Sequence, residues 1–318
     1  MANLGYIQVT RDCNQRCRFC SNPPSGREAT GAELQAQVDD LVRRGCTGVI
    51  LTGGEPTLHL DLPDLVAYTR DQGVTPRIIT NAQRLAEGPL LDQLLDAGLR
   101  HLHVSLYTHR ATLQDHLTQT PGSGARVRAA LARLGRRRET RPDLTVDLNV
   151  VISRANADHL HRVVDWALVH APFVGHWVFN NLDPSTDRIA EAPDLVPRLR
   201  DFEVSLQRAL RTLQAAGRTF RVERVPLCYL AGFEHVSTET RKIVKEEPRL
   251  VHFLDDKRLV CQQGRAGWQR GKAEACQHCR LDPLCAGLDS MGHHYDPAEL
   301  APVFADPRPI AQRIQGQR

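Results

Sequence analysis

Tyr6-Ile7-Gln8-Val9-Thr10-Arg11-Asp12-Cys13-Asn14-Gln15-Arg16-Cys17-Arg18-Phe19-Cys20 begins as a β-forming run and ends in three cysteines spaced CxxxCxxC. Tyr6 to Thr10 reads as a strand, and the cysteines fall in the segment that leaves it. A short loop there can converge three thiolates on one cubic iron–sulfur cluster. The fourth iron then lacks a protein ligand, which is the open position that inner-sphere chemistry requires. A structural zinc site ordinarily takes four protein ligands, so an incomplete zinc knuckle is the competing reading.

Working outward, apolar or β-branched runs alternate with amphipathic segments. The further strands expected are Gly48 to Leu51, Arg77 to Thr80, Leu102 to Leu106, Val146 to Ile152 and His176 to Phe179. Between them lie helical stripes such as Leu34, Val38, Leu41 and Val42, a helix from Leu85 to Leu95 closed by Gly98, and one through Val127, Leu131 and Leu134. This order calls for an α/β fold with a parallel sheet and helical crossovers. Six units fit a partial (β/α)6 barrel, although an open sheet satisfies the same order.

The polar stretch from Asn180 to Pro193 marks a transition. The expected organisation is a catalytic domain at 1–190, a linker and helix at 191–225 and a small cysteine-rich module at 226–318. Within the latter two, a long helix is expected from Pro197 to Ala216, a strand from Phe220 to Val225 and a hairpin over Val251 to Val260 turning at Asp255 and Asp256. The residues from about Arg308 read as a loosely held tail.

Composition narrows the class. The 318 residues are 41% hydrophobic and 25% charged, a globular balance, with a formal charge of only +4. No run reaches transmembrane length and residues 1 to 12 lack a secretory signal, so a cytoplasmic protein with no membrane partner is expected. With the first strand so early, no N-terminal recognition domain is expected. Arg136, Arg137 and Arg138 form one short basic run without a broader basic and aromatic stripe, which argues against a nucleic-acid partner. Of nine cysteines, three lie between 13 and 20 and four between 261 and 285, leaving only Cys46 and Cys228 isolated. That clustering points to metal ligation rather than disulfides. Cys46, beside Gly45 before an apolar strand, reads as a small buried hydrophobe.

The CxxxCxxC motif with Phe19 before its last cysteine, followed by Thr52-Gly53-Gly54-Glu55-Pro56 after the second strand, resembles the radical S-adenosylmethionine (SAM) superfamily. The resemblance implies that Cys13, Cys17 and Cys20 hold a catalytic [4Fe-4S] cluster. It also implies that Gly53, Gly54, Glu55 and Pro56 lie at the methionine end of SAM, with Phe19 beside the cluster. Thr80-Asn81 matches a frequent Thr-Asn-Gly of the family, with Ala82 in place of glycine. Ser105, Tyr107 and Asn149 are positioned like polar groups that approach SAM, yet each can equally cap a strand. His101, His103 and His109 need no role in this scheme and read as surface or satisfied core residues. The implied activity is reductive cleavage of SAM to a 5'-deoxyadenosyl radical that abstracts a substrate hydrogen. The electron would come from a reducing partner such as flavodoxin or ferredoxin.

Near the end, Cys276-Gln277-His278-Cys279 followed by Cys285 gives CxxCx5C. Sulfur ligation of this kind fits zinc or iron–sulfur equally. Behind the first motifs it resembles the SPASM or smaller twitch extension, although the partner cysteine expected after Cys285-Ala286-Gly287 is Asp289. Too few cysteines remain for two further clusters, so one auxiliary [4Fe-4S] cluster is expected. Cys276, Cys279 and Cys285 would be joined most simply by Cys261. Cys228 is then the fourth ligand in place of Cys261, a core thiol, or a catalytic hydrogen-atom donor. The substrate expected from the resemblance is a peptide, the alternative a small metabolite such as a sugar, nucleotide or cofactor precursor.

Overall fold

A computed structural model describes residues 3–184, 187–246, 249–255, 258–262, 270–289 and 293–317. The elements run β1 (Leu4–Thr10), α1 (Gly31–Arg43), β2 (Gly48–Gly53), α2 (Leu62–Asp71), β3 (Thr75–Thr80), α3 (Leu90–Ala97), β4 (His101–Ser105), α4 (Ala111–Thr118), α5 (Ser123–Thr140), β5 (Thr145–Ile152), α6 (Leu160–His170) and β6 (His176–Asn181). They continue through α7 (Asp187–Ala190), α8 (Leu199–Ala215), β7 (Thr219–Glu223), α9 (Thr238–Lys245), β8 (Arg249–Phe253), β9 (Arg258–Gln262), β10 (Arg270–Gly271), β11 (Leu288–Asp289) and α10 (Pro307–Gly316).

The strands of the large sheet are ordered β7-β6-β5-β4-β3-β2-β1-β8-β9. β1 to β5 pair in parallel with their sequence neighbours, and β1 also pairs in parallel with β8, where Tyr6 faces Val251. The strand–helix order is that of the expected (β/α) barrel fold. The segment expected to be a hairpin contributes β8 and β9, which lie side by side.

Contacts divide the chain into two compact units. The first is Met1–Asn149, Ala167–His176 and Arg249–Cys261, and the second is Val150–Trp166, Trp177–Pro248 and Gln262–Arg318. In the first, the strands bury Ile7, Val9, Val49, Leu51, Ile78, Leu102, Val104, Val146 and Leu148 completely. Helix residues such as Leu34, Val38, Leu41, Leu94 and Leu134 are buried equally. Each such side chain contributes about 1.5–3 kcal/mol through removal of its apolar surface from water. The basic run lies near the end of α5 and two of its members are engaged locally: Arg137 meets Asp92 at 2.7 Å, as Arg133 does at 2.9 Å, and Arg138 donates to the Leu144 carbonyl, while Arg136 is exposed.

In the second unit α8 presents Phe202, Leu206, Ala209, Leu210 and Leu213 as one buried face, the long helix expected. The tail departs from expectation. Asp306 caps α10 by accepting from Arg308 N, Pro307 occupies the first turn and Ile314 is fully buried. Ile314→Ala should therefore cost about 2 kcal/mol or more in denaturant unfolding. A change within experimental error would mean that the helix does not dock.

Candidate active site and cysteine-lined cavity

The cysteine loop of the first unit is fastened at both ends. Arg11 N donates to the Arg27 carbonyl at 2.7 Å, and the Arg11 guanidinium reaches Asn22 Oδ1, the Pro23 carbonyl and Asp255. Its middle leans on α4, where Arg16 N and Arg18 N donate to the Thr118 and Leu117 carbonyls. Cys17 is buried and Cys13 and Cys20 are half-buried, and none of the three is in a disulfide. The Cys13 and Cys20 sulfurs already serve as hydrogen-bond acceptors, from Gln15 N at 3.4 Å and from Asn22 N at 3.3 Å, whereas Cys17 Sγ donates to Gln15 Oε1 at 3.5 Å. Burial first, then the charges of Glu55 and Cys20, push the Cys13 thiol up to about 11. It therefore holds its proton at neutral pH until a metal displaces it.

The Gly-Gly-Glu-Pro strap is bonded to this loop by backbone. Gly54 N donates to the Thr10 carbonyl and Glu55 N to the Asp12 carbonyl, each at 2.7 Å. The approach is so close that a Cβ on Gly53 would stand 2.2 Å from the Thr10 oxygen, and one on Gly54 2.1 Å from the Asp12 oxygen. Gly53 also has φ +139°, a conformation that favours glycine.

Glu55 is buried and fully engaged. Its Oε1 accepts from Thr57 N at 3.1 Å and from the Thr57 and Thr80 hydroxyls at 2.6 Å, while Oε2 accepts from Asn81 N at 2.7 Å. Desolvation raises its pKa against the pull of those donors. Its carboxylate thus braces the loops after β2 and β3 against each other. Glu55→Gln places an NH2 group against either Thr57 N–H or Asn81 N–H, whichever way the amide turns. Thermal and denaturant unfolding should register a loss of about 1–3 kcal/mol. Equal stability would show that the brace is not needed.

Asn81 carries the brace onward, donating from Nδ2 to Asn14 Oδ1 at 2.7 Å and lying 3.8 Å from Cys13 Sγ. Ala82, where the family often has glycine, adopts the left-handed conformation at φ +60°. After β4, Tyr107 is buried with its ring edge-on to Phe19, centroids 4.8 Å apart, and its N–H donates to Gln114 Oε1. Burial, then the neighbouring Cys17, Cys20 and Cys13, hold the Tyr107 phenol well above its ordinary range. Ser105 is hydrogen-bonded to Tyr107 and stands opposite Asn149 in the β4–β5 register. Cys13, Cys17, Cys20, Phe19, Gly53–Pro56, Asn81, Ser105 and Tyr107 thus belong to the strand ends and loops after β1 to β4, and Asn149, within β5, belongs to the same unit. The sequence did not single out Thr57, Asn14 or Gln114 as partners. Motif spacing carries no signal for them, because each is recruited by the fold.

The two strand histidines are not separate surface groups. His101 Nε2 lies 2.6 Å and His103 Nδ1 3.3 Å from the same oxygen of Asp147, with the rings stacked at 4.7 Å. Burial pushes His103 down to about 3, so its imidazole is neutral at physiological pH.

In the second unit, Cys228, Cys276, Cys279 and Cys285 line one cavity with Leu227, Lys272 and Leu300. Val303 N donates to Cys279 Sγ at 3.3 Å and Gly287 N to Cys285 Sγ at 3.5 Å, while backbone groups of Ala301 and Ala273 bond Cys228 and Cys276. Such amide–sulfur bonds are a feature of iron–sulfur ligation, where they tune potential. Gly287, at φ +82°, packs so tightly that a Cβ would meet the Gly271 carbonyl at 2.5 Å. Burial, then the charges of Cys285 and Cys276, push Cys228 up to about 11. The side chain of Cys261 lies outside the described residues. Cys46 is buried, as expected.

The PqqA peptide cyclase of Xanthomonas campestris pv. campestris is 30% identical over 200 residues, covering 58% of this chain and 51% of that one. The chain spans about half the length of these relatives. Among solved structures, anSMEcpe with bound AdoMet superposes with a TM-score of 0.63 at 13% identity, covering 99% of this chain and 100% of that one. Streptococcus suis SuiB bound to precursor peptide SuiA gives 0.57 at 17%, covering 70% and 49%. Both structural likenesses concern the fold. Residues 7–167, which contain the cysteine loop, its glycine strap and the strands that carry them, match the Radical SAM superfamily, and with half of its length so matched the chain belongs to that superfamily.

Proposed function

We propose that this chain is a radical SAM enzyme that modifies a peptide. The observation that carries the reading is the backbone docking of Gly53-Gly54-Glu55 onto the cysteine loop, because it couples a three-thiol site to a glycine-lined strap. Cys13, Cys17 and Cys20 fit a [4Fe-4S] cluster: they are half-buried or buried and outside any disulfide, and Cys13 and Cys20 accept amide bonds as cluster thiolates do. When bound, that cluster and SAM supply reductive cleavage to methionine and a 5'-deoxyadenosyl radical. The protein's own part is to ligate, to orient and to keep water out. Gly53 and Gly54 leave their backbone bare for close approach, and Glu55 and Asn81 hold that backbone against the loop. Phe19 and Tyr107 wall the site with buried rings.

In the second unit, the shared cavity supports Cys228 as the fourth ligand, with Cys276, Cys279 and Cys285, of one auxiliary [4Fe-4S] cluster. That placement favours ligation over a hydrogen-donating role. The module boundaries at 191 and 226, a flavodoxin- or ferredoxin-like reductant and a cytoplasmic location belong to the same proposal. A peptide substrate is supported by the names of the relatives, which are peptide cyclases, and by the peptide bound to SuiB.

The test is anaerobic reconstitution followed by reduction with SAM. Wild type should form methionine and 5'-deoxyadenosine, and the Cys13→Ala/Cys17→Ala/Cys20→Ala variant should form neither. Deuterated peptide pools should pass deuterium into 5'-deoxyadenosine, whereas transfer only from a deuterated metabolite extract would replace the peptide by a small molecule. Equal SAM cleavage by wild type and the triple variant would end the assignment.

A further inference from the structure

We infer that an anion-binding cavity of the second unit receives a carboxylate-bearing segment of the substrate peptide. The inference rests on the peptide reading above. The cavity, of about 380 Å³, is lined by Arg154, Arg198, Arg200, His293 and His294. Its two acidic residues are committed elsewhere. Glu299 Oε2 accepts from Leu199 N at 2.7 Å and Oε1 from Asp296 N at 3.4 Å, while Asp296 Oδ1 accepts from Ala298 N at 2.9 Å. Both carboxylates thus work as backbone caps, and the guanidinium N–H groups are left as the cavity's recognition elements.

The arginines are mounted on fixed backbone. Arg154 N donates to the Leu195 carbonyl at 2.9 Å and its Nη2 to the Val196 carbonyl at 3.2 Å. Arg198 and Arg200 flank Leu199, whose side chain is fully buried, at the N-terminus of the 17-residue α8. The positive end of that helix adds to the field of the three guanidinium groups. Guanidinium planes match carboxylates bidentately.

Size and spacing separate an extended acidic segment from a lone inorganic anion. The volume is that of a site for a drug-sized ligand, far beyond one phosphate. Its basic groups come from three separated stretches, at 154, 198–200 and 293–294, which suits a chain bearing more than one acid. The arginines are exposed, so the attraction is screened by salt.

The experiment measures anaerobic binding of a short fluorescent peptide with a Glu-Glu-Asp run, against its Gln-Gln-Asn counterpart, by anisotropy on the full chain. The acidic peptide should bind about tenfold more tightly than the neutral one. Arg154→Gln/Arg200→Gln should erase that margin, leave peptide-free SAM cleavage unchanged and keep the iron content. High salt should reduce the margin in wild type. Equal binding of the two peptides, or an unchanged margin in the variant, overturns the inference. So does displacement of the acidic peptide by phosphate but not by N-acetylglutamate, which would mark a small-anion site. Peptide turnover without charge dependence overturns the cavity's role alone. Charge-dependent binding in an enzyme that takes hydrogen only from metabolites would overturn the peptide reading and, with it, the substrate role of the cavity.

Discussion

Gly54→Ala is expected to destabilise the first unit by about 3 kcal/mol or more and to abolish SAM cleavage. Its new Cβ would stand 2.1 Å from the Asp12 oxygen and 2.7 and 2.8 Å from the Asp12 and Arg11 carbonyl carbons, all backbone atoms that cannot rotate away. The cysteine loop or the strap must shift by about 1 Å to reach normal contact. That shift breaks the two 2.7 Å hydrogen bonds from Gly54 N and Glu55 N. Gly26→Ala is the control. Gly26 lies in the left-handed region, at φ +67°, and nothing stands within 4 Å of its Cβ position. It should lose only the conformational cost of about 1–2 kcal/mol and keep its cluster. Thermal unfolding and iron content of the two variants measure the difference. A Gly54→Ala protein with wild-type stability and SAM cleavage would mean that the strap does not set the geometry of the loop.

That contrast shows where the sequence was informative. β1 to β6 were legible because each is a short apolar run whose side chains are buried, continuous in β2 and alternating in β6, a pattern that belongs to the strand itself. The cysteine triad and Gly-Gly-Glu-Pro were legible because cluster ligands and bare backbone demand particular residue types. The internal engagement of Glu55 was not, since Thr80 and Asn81 reach it from 25 and 26 residues away. α4 escaped notice because its buried residues are Gln114, Leu117 and Thr118, two of them polar and held by hydrogen bonds. α10 stands where a loosely held tail was expected: proline in the first turn gives up no intrahelical bond, and Asp306 supplies the cap. Parallel pairing of β8 with β1 joins residues more than 240 positions apart, which local pattern does not encode.

Cys228→Ala should lower iron from about eight to about four per chain, while the remaining cluster still supports SAM cleavage to 5'-deoxyadenosine. Cys228 stands alone in sequence, 48 residues before Cys276, and only the fold of the second unit sets it in the cavity of the other three cysteines. Its surroundings are poor for a free polar thiol: apolar Leu227 and Leu300 share the cavity, and burial holds its proton on to about 11. A cluster changes that balance. Bound iron displaces the proton, and the Ala301 backbone bond then stabilises the thiolate instead of opposing burial alone. Loading of the apo protein should therefore release protons and proceed more readily as pH rises from 7 toward 9, where the thiolate fraction grows about tenfold per pH unit. Cys261→Ala is the discriminating partner. If it retains about eight irons while Cys228→Ala retains four, Cys228 is the ligand. The reverse result would assign the site to Cys261. Circular dichroism of Cys228→Ser, which keeps the side-chain size, separates loss of ligation from loss of fold. A folded Cys228→Ser protein that still binds about eight irons would remove Cys228 from the ligand set.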